Sequence, residues 1–167
     1  MESIVNYGQE LGPNLIKICK KLLANQNLCK LLINTDVNPL SPNYPDLSEE
    51  ERMALFGKNI RPVPLITSED ETTASKIVVV FSDGDPNDEN TSTEDITVLI
   101  YVYTPYKEWL IAGDQIRPFA LMSEVRKSLQ NKRVNGLGEI RYNGFTISSL
   151  TTETGSYLMR FSIHAFD

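Results

Sequence analysis

The chain has one histidine, two cysteines and one tryptophan among its 167 residues. A lone histidine, His164, excludes a metal site built on two imidazoles, and a triad would need it beside a serine or cysteine nucleophile. In the sequence it reads as a surface or interface residue of a closing strand, near Ser162 and Arg160. Cys19 and Cys29 lie in a leucine-rich stretch of helical spacing, so they read as buried thiols, not as a disulfide or a metal pair. No G-x-S-x-G, G-x-x-x-x-G-K-[ST] or G-x-G-x-x-G occurs, and Gly136-Leu-Gly138 is too short to cradle a phosphate. No apolar run is long enough for a membrane span, and the first residues lack a basic segment followed by an apolar one. The expectation is a protein made and kept in a cytoplasm, with no membrane partner, no catalytic residue, no cofactor and no resident metal. A basic stripe, the footprint of a sequence reader of nucleic acid, is also missing, so sequence-specific DNA binding is not expected.

A length of 167 residues suits one domain with a normal core, and 41% hydrophobic with 23% charged residues is ordinary globular composition. The net charge of −6 is local. Asp83, Asp85, Asp88, Glu89, Glu94 and Asp95 are six acids within thirteen residues that contain no base. Without them 16 acids remain, equal to the 16 Lys and Arg. Residues 83–94 imitate a twelve-residue calcium loop, with Asp or Asn at positions one, three and five and Glu at twelve. Position six, where such a loop needs glycine, is Asp88, and the flanks are strand-like, so a solvated acidic loop is the better account.

The chain is organised around residues 76–105. Runs 77–81 and 96–103 are dense in β-branched and aromatic residues and predict two central antiparallel strands joined by the acidic loop. Ile96, Val98, Ile100 and Val102 share one face, Leu99, Tyr101 and Tyr103 the other, so both faces call for cover. Tyr101, Tyr103, Tyr106 and Trp109 read as core or interface anchors. Before them, Leu15, Ile18, Cys19, Leu22 and Leu23 predict an amphipathic helix with Pro13 near its first position, interrupted at Asn25 and resumed over 28–34. Residues 35–75 form an irregular arm that holds five of the nine prolines. Within it Ser48 and Glu51 make a capping box for a short helix that Gly57 ends, and 59–66 is extended, suited to an edge or to an arm reaching a neighbouring subunit.

After the strands, Asp114 is placed to cap a second main helix running to about Lys132. Pro118 falls in its first turn, Phe119, Met122, Val125 and Leu129 form its stripe, and Arg126, Lys127, Lys132 and Arg133 stand at its end. Asn143-Gly144 predicts a two-residue hairpin, and Tyr157, Met159, Phe161 and Ile163 alternate with Leu158, Arg160, Ser162 and His164 in a final strand. The fold class is α+β: a mainly antiparallel sheet flanked by two main helices, with a proline-rich extended arm. The organisation is one domain over 1–167, with a helical segment at 1–34, the arm at 35–75 and a strand–strand–helix–strand core at 76–167.

KIVVVFS with DITVLIYVYTP, IRPFALMSEVRKSL and GEIRYNGFTISS…GSYLMRFSIHAFD together resemble the tail terminator and head–tail joining (neck) proteins of tailed bacteriophages. The resemblance covers about the last ninety residues. It implies a homo-oligomeric ring, typically hexameric, that caps the tail tube, joins it to the head connector and other neck proteins, and lets DNA pass. It implies a virion location, no catalysis and no cofactor. Two other classes stay open: a small divalent-metal-dependent hydrolase using the 83–94 loop, and a soluble adaptor for one protein partner. In a ring, the acids at 83, 85, 88, 89, 94 and 95 either line the channel or meet the bases at 126, 127, 132 and 133 across an interface. The length and Asn, Ser and Thr content of the loop favour the channel.

Overall fold

Runs of Val, Ile and Tyr make the middle of the chain a sheet, and amphipathic helices from both sides of it in sequence cover one face. The computed structural model describes residues 7–64, 74–86, 94–134 and 137–164. The helices are α1 (Tyr7–Leu23), α2 (Gln26–Ile33), α3 (Glu49–Met53) and α4 (Arg117–Leu129). The strands are β1 (Ile60–Arg61), β2 (Lys76–Pro86), β3 (Glu94–Pro105), β4 (Leu110–Ile111), β5 (Gln115–Ile116), β6 (Arg133–Val134), β7 (Gly138–Leu150) and β8 (Thr154–His164). Six strands form one sheet in the order β1-β2-β3-β8-β7-β6, and β4 with β5 forms a separate ribbon. Every pairing but that of β1 with β2 is antiparallel, so the fold is α+β as the sequence predicts.

Ile77, Val79, Ile96, Val98, Ile100, Val102, Ile140, Met159, Phe161 and Ile163 share one core with Ile18, Leu22 and Leu23 of α1, Leu28, Leu31 and Leu32 of α2 and Leu121, Val125 and Leu129 of α4. Both thiols are free and sit in this core, where burial pushes Cys19 up to about 12 and Cys29 up to about 11. The opposite face departs from the expectation of cover on both sides. Leu99, Tyr101, Tyr103 and Leu158 stand half-exposed there, outside the core. The rings of Tyr101 and Tyr103 stack at 6.1 Å and so shield part of one another.

Several local expectations are corrected. Asn143-Gly144 is not a hairpin turn: Tyr142 pairs with Phe161 and Phe145 with Met159 on the same strand, so the two residues form a bulge within β7. Gly144 has φ 103, and a bulge uses that freedom as readily as a turn does. The true turn follows Leu150 and is closed by Thr151, whose amide and hydroxyl both donate to the Thr154 carbonyl. Asp114 caps nothing. It lies at φ 54 in the turn between β4 and β5, and Ile116 occupies the cap position of α4 without a side-chain bond. That helix stops at Leu129 rather than near Lys132, because Asn131 turns back with φ 60. Its stripe is Leu121, Met122, Val125 and Leu129, and Phe119 is 45% exposed. Pro13 lies inside α1, which begins earlier than its position suggests. Ser48 and Glu51 do close their capping box, but α3 ends at Met53 and Gly57 falls in the turn beyond. Asp83 and Asp85 belong to β2, and Glu94 and Asp95 to β3, so the acids begin on strands rather than in a loop. Asp88 and Glu89 lie outside the described residues.

The described part of the arm packs on its own chain. Gln26 bonds both polar groups of Leu47 at 2.6 and 2.9 Å, Lys30 pairs with Asp46 at 2.7 Å, and Asn34 donates to the Pro39 carbonyl. β1 then adds a two-residue parallel edge beside β2, the placement its neighbouring prolines allow.

Candidate functional site

Two surfaces gather the sequence-predicted residues. The first is the open sheet face. Alternation along a strand sends Asp83, Asp85, Asp95, Thr97, Ser162 and His164 to this side, level with one another at one end of the sheet. Further along, Val80, Leu99 and Arg160 make the next row but one, and Val78, Tyr101 and Leu158 another. The acidic end thus grades into an apolar, tyrosine-bearing centre. His164 Nδ1 lies 3.1 Å from Asp95 Oδ2, and its Nε2 lies 3.4 Å from Ser162 Oγ.

Serine, histidine and aspartate in line are the elements of acyl-transfer chemistry, but that chemistry also needs backbone donors aimed at a developing oxyanion. Ser162 sits inside β8, paired with Thr97 on one side and Arg141 on the other, so the amides around it are used in the ladders. The three side chains form a hydrogen-bonded His–Asp contact at the surface with a hydroxyl neighbour. The serine next to His164 was legible from i,i+2 spacing; Asp95 was not, since only the β3–β8 register brings it close.

The second surface is a groove of about 320 Å³ between α4 and β7, lined by Phe119, Met122, Ser123, Arg126, Tyr142, Phe145 and Met159. Phe119 and Phe145 are exposed and lie 6.5 Å apart. The Arg126 guanidinium lies 4.4 Å above the Tyr142 ring, an arrangement favourable to a cation over an aromatic face. Beyond it the floor turns polar and basic, with Lys127, Gln130, Asn131 and Lys132. Arg126 also bonds Gln130, and Lys127 pairs with Glu124 at 2.6 Å. Arg126 and Lys127 stand in the last turn of α4, where cations suit the dipole, while Lys132 follows the helix and Arg133 lies in β6. Among the described residues Asp83, Asp85 and Asp95 stand on the open face and Arg126 and Lys127 on the helix side; Arg133, which pairs with Glu139 and alternates with the buried Val134, falls on the open face, and Glu94, next to Asp95, on the helix side.

Arg117 is the important residue the sequence did not reveal. It is fully buried, and its guanidinium donates to the carbonyls of Glu108 at 2.8 Å, Leu31 at 2.6 Å, Asn34 at 2.8 Å and Asp36 at 2.7 Å. Burial lowers its pKa, while the nearby Glu108 and Asp36 charges oppose that. Glu108 is itself buried and accepts a bond from Ser75 Oγ at 3.1 Å. The available signal was an arginine at the first position of a helix, where its charge opposes the dipole and so calls for another reason to be there.

Among the described residues no group of three or more His, Cys, Asp or Glu is placed to hold a metal ion, and no helix is long and apolar enough to cross a membrane. Fold and site define a small α+β protein whose distinctive features are two surfaces, an open graded sheet face and an apolar groove with a basic end. The YomW family model matches residues 25–163, and the chain belongs to that phage-derived family. A comparison with curated proteins finds no match.

Proposed function

We propose that this phage-related chain is a structural, ring-forming virion protein of a phage neck or tail, one that caps the tail tube and joins it to the head connector. The observation that carries the reading is the open sheet face. Val80, Leu99, Tyr101, Tyr103 and Leu158 form a half-exposed apolar and tyrosine-bearing band that none of the described helices covers, beside Val78, which is buried. Contiguous apolar surface of this kind marks an interaction site. Repetition around a ring gives every copy the same cover, a hexamer being the expected size. The other partners are neck and tail-tube proteins, and DNA passes through without sequence readout.

A metal-dependent hydrolase has weaker support, since Asp83 and Asp85 stand on an extended strand instead of curling around a common centre. The test is solution mass together with negative-stain images of the purified protein. Rings with a central opening are expected. A monomer at every concentration would overturn the reading and favour a single-partner adaptor.

A further inference from the structure

We propose that the groove between α4 and β7 is the seat of a second copy of this chain, which lays the open face of its β2–β3 ribbon over it. The inference rests on the ring reading and specifies the contact that closes the ring. Charge complementarity carries it, and the order of residues along both surfaces strengthens it. On the ribbon, Asp83 and Asp85 are exposed at the end of the sheet, and Val80, Leu99 and Tyr101 follow inward on the same face. On the groove, Lys132, Lys127 and Arg126 stand at one end, and Phe119 and Phe145 follow inward.

Both sequences of charge then apolar surface run the same way along the strands. The basic end of α4 is level with the acids: the Asn131 amide bonds the Ile140 carbonyl, Ile140 pairs with Ile163, Ile163 with Ile96, and Ile96 with Gly84. Phe119, at the other end of α4, approaches Tyr157 at 5.2 Å, which is level with Val102 and Ile77. The two spans are of the same order. From Arg126 back to Phe119 is about 10 Å along a helix, and from Thr97 to Tyr101 is about 14 Å along a strand.

The two surfaces lie toward opposite lateral edges and on opposite faces, since the sheet runs from β2 to β7 with α4 beneath. One copy can therefore overlap the next in the same orientation, as roof tiles do. Such a contact is heterologous, and a heterologous contact closes into a ring when its rotation permits. It also covers the exposed Phe119 and Phe145 of one copy with the half-exposed Val80 and Leu99 of another.

Charge exchange tests this. The variants are Asp83→Lys with Asp85→Lys, Arg126→Glu with Lys127→Glu, and all four together, each followed by light scattering at low and high salt. Circular dichroism of the diluted protein confirms that the fold is intact. Either pair alone is expected to raise the concentration at half-assembly about tenfold at low salt, and the fourfold variant to recover most of that loss. Salt is expected to weaken the parent ring. A parent ring indifferent to both reversals would assign the groove to a different protein and overturn the inference while leaving the ring. A tighter ring on reversing the acids alone would place them at the channel and overturn it too. A parent that never assembles would remove the ring reading along with it.

Discussion

Gly155 has no room for a side chain. A Cβ there would lie 2.5 Å from Trp109 Cζ2 and 3.1 Å from Tyr106 Cε1, with the indole anchored by its bond to the Thr104 carbonyl at 2.9 Å. Gly155→Ala must therefore displace Trp109 and cost about 1–3 kcal/mol. Thermal unfolding checks this, and an unchanged midpoint would mean that the indole is free to move. Glu51 offers a test by titration. Its carboxylate accepts the Ser48 amide at 2.7 Å, and this bonding holds its pKa below the ordinary carboxylate value. A depressed pKa means that the contribution is present at neutral pH and is lost as pH falls through the folded value. Ser48→Ala leaves that amide but removes the reciprocal hydroxyl and loosens the box. Carboxyl NMR should then show the Glu51 midpoint shifted upward. No movement would show that the two halves of the box are independent.

At the scale of an element, β7 is the instructive case. Its two halves flank Asn-Gly and each alternates, which is also the pattern of a hairpin. Local sequence cannot tell a turn from a bulge, because both ask for a residue at positive φ; only the partner decides, and here both halves share β8. Gly144→Val should cost roughly 1–3 kcal/mol through backbone strain alone. The nearest atom to an added Cβ is Arg160 Nη2 at 3.9 Å, so crowding adds little. Gly144→Asn, tolerant of that region, should lose much less, and chemical denaturation of the two variants separates strain from packing. Equal losses would contradict the strain argument. The alternation of β3 and β8 and the capping box of α3 were legible because each depends on neighbours within a few residues. The limits of α4 were not, because Asp114 and Asn131 adopt positive φ in turns that the surrounding ribbon and sheet impose.

At the scale of the whole molecule, the acid excess and the basic helix end could be counted in the sequence, whereas their placement could not. The common level of Asp83 and Asp85 with the end of α4, on opposite faces of the sheet, follows from the pairing of β2, β3, β8 and β7, and no local pattern encodes a strand order. The groove was hidden for the same reason. Its lining comes from α4, β7 and β8, and Phe119 reads as one more member of a buried stripe until its neighbours Phe145 and Tyr157 are known. The His164–Asp95 pair likewise joins residues 69 positions apart.

The buried guanidinium of Arg117 bears on how fast this protein comes apart. It reaches 86 positions back to Leu31, 83 to Asn34 and 81 to Asp36, and so ties the first residue of α4 to the end of α2 and the start of the arm. Contacts so distant in sequence form only after long segments have been closed, which is slow compared with local structure. These bonds are thus expected to be absent from the folding transition state and to break on the way to it from the native side. Arg117→Lys, which keeps the charge but not the fork of donors, should raise the unfolding rate and barely alter the folding rate. Stopped-flow chevrons would show a lifted unfolding arm beside an unmoved folding arm. A folding arm slowed by a comparable factor would instead place Arg117 in the nucleus. On the first outcome, one side chain governs the lifetime of the folded chain, a kinetic stability distinct from its equilibrium stability.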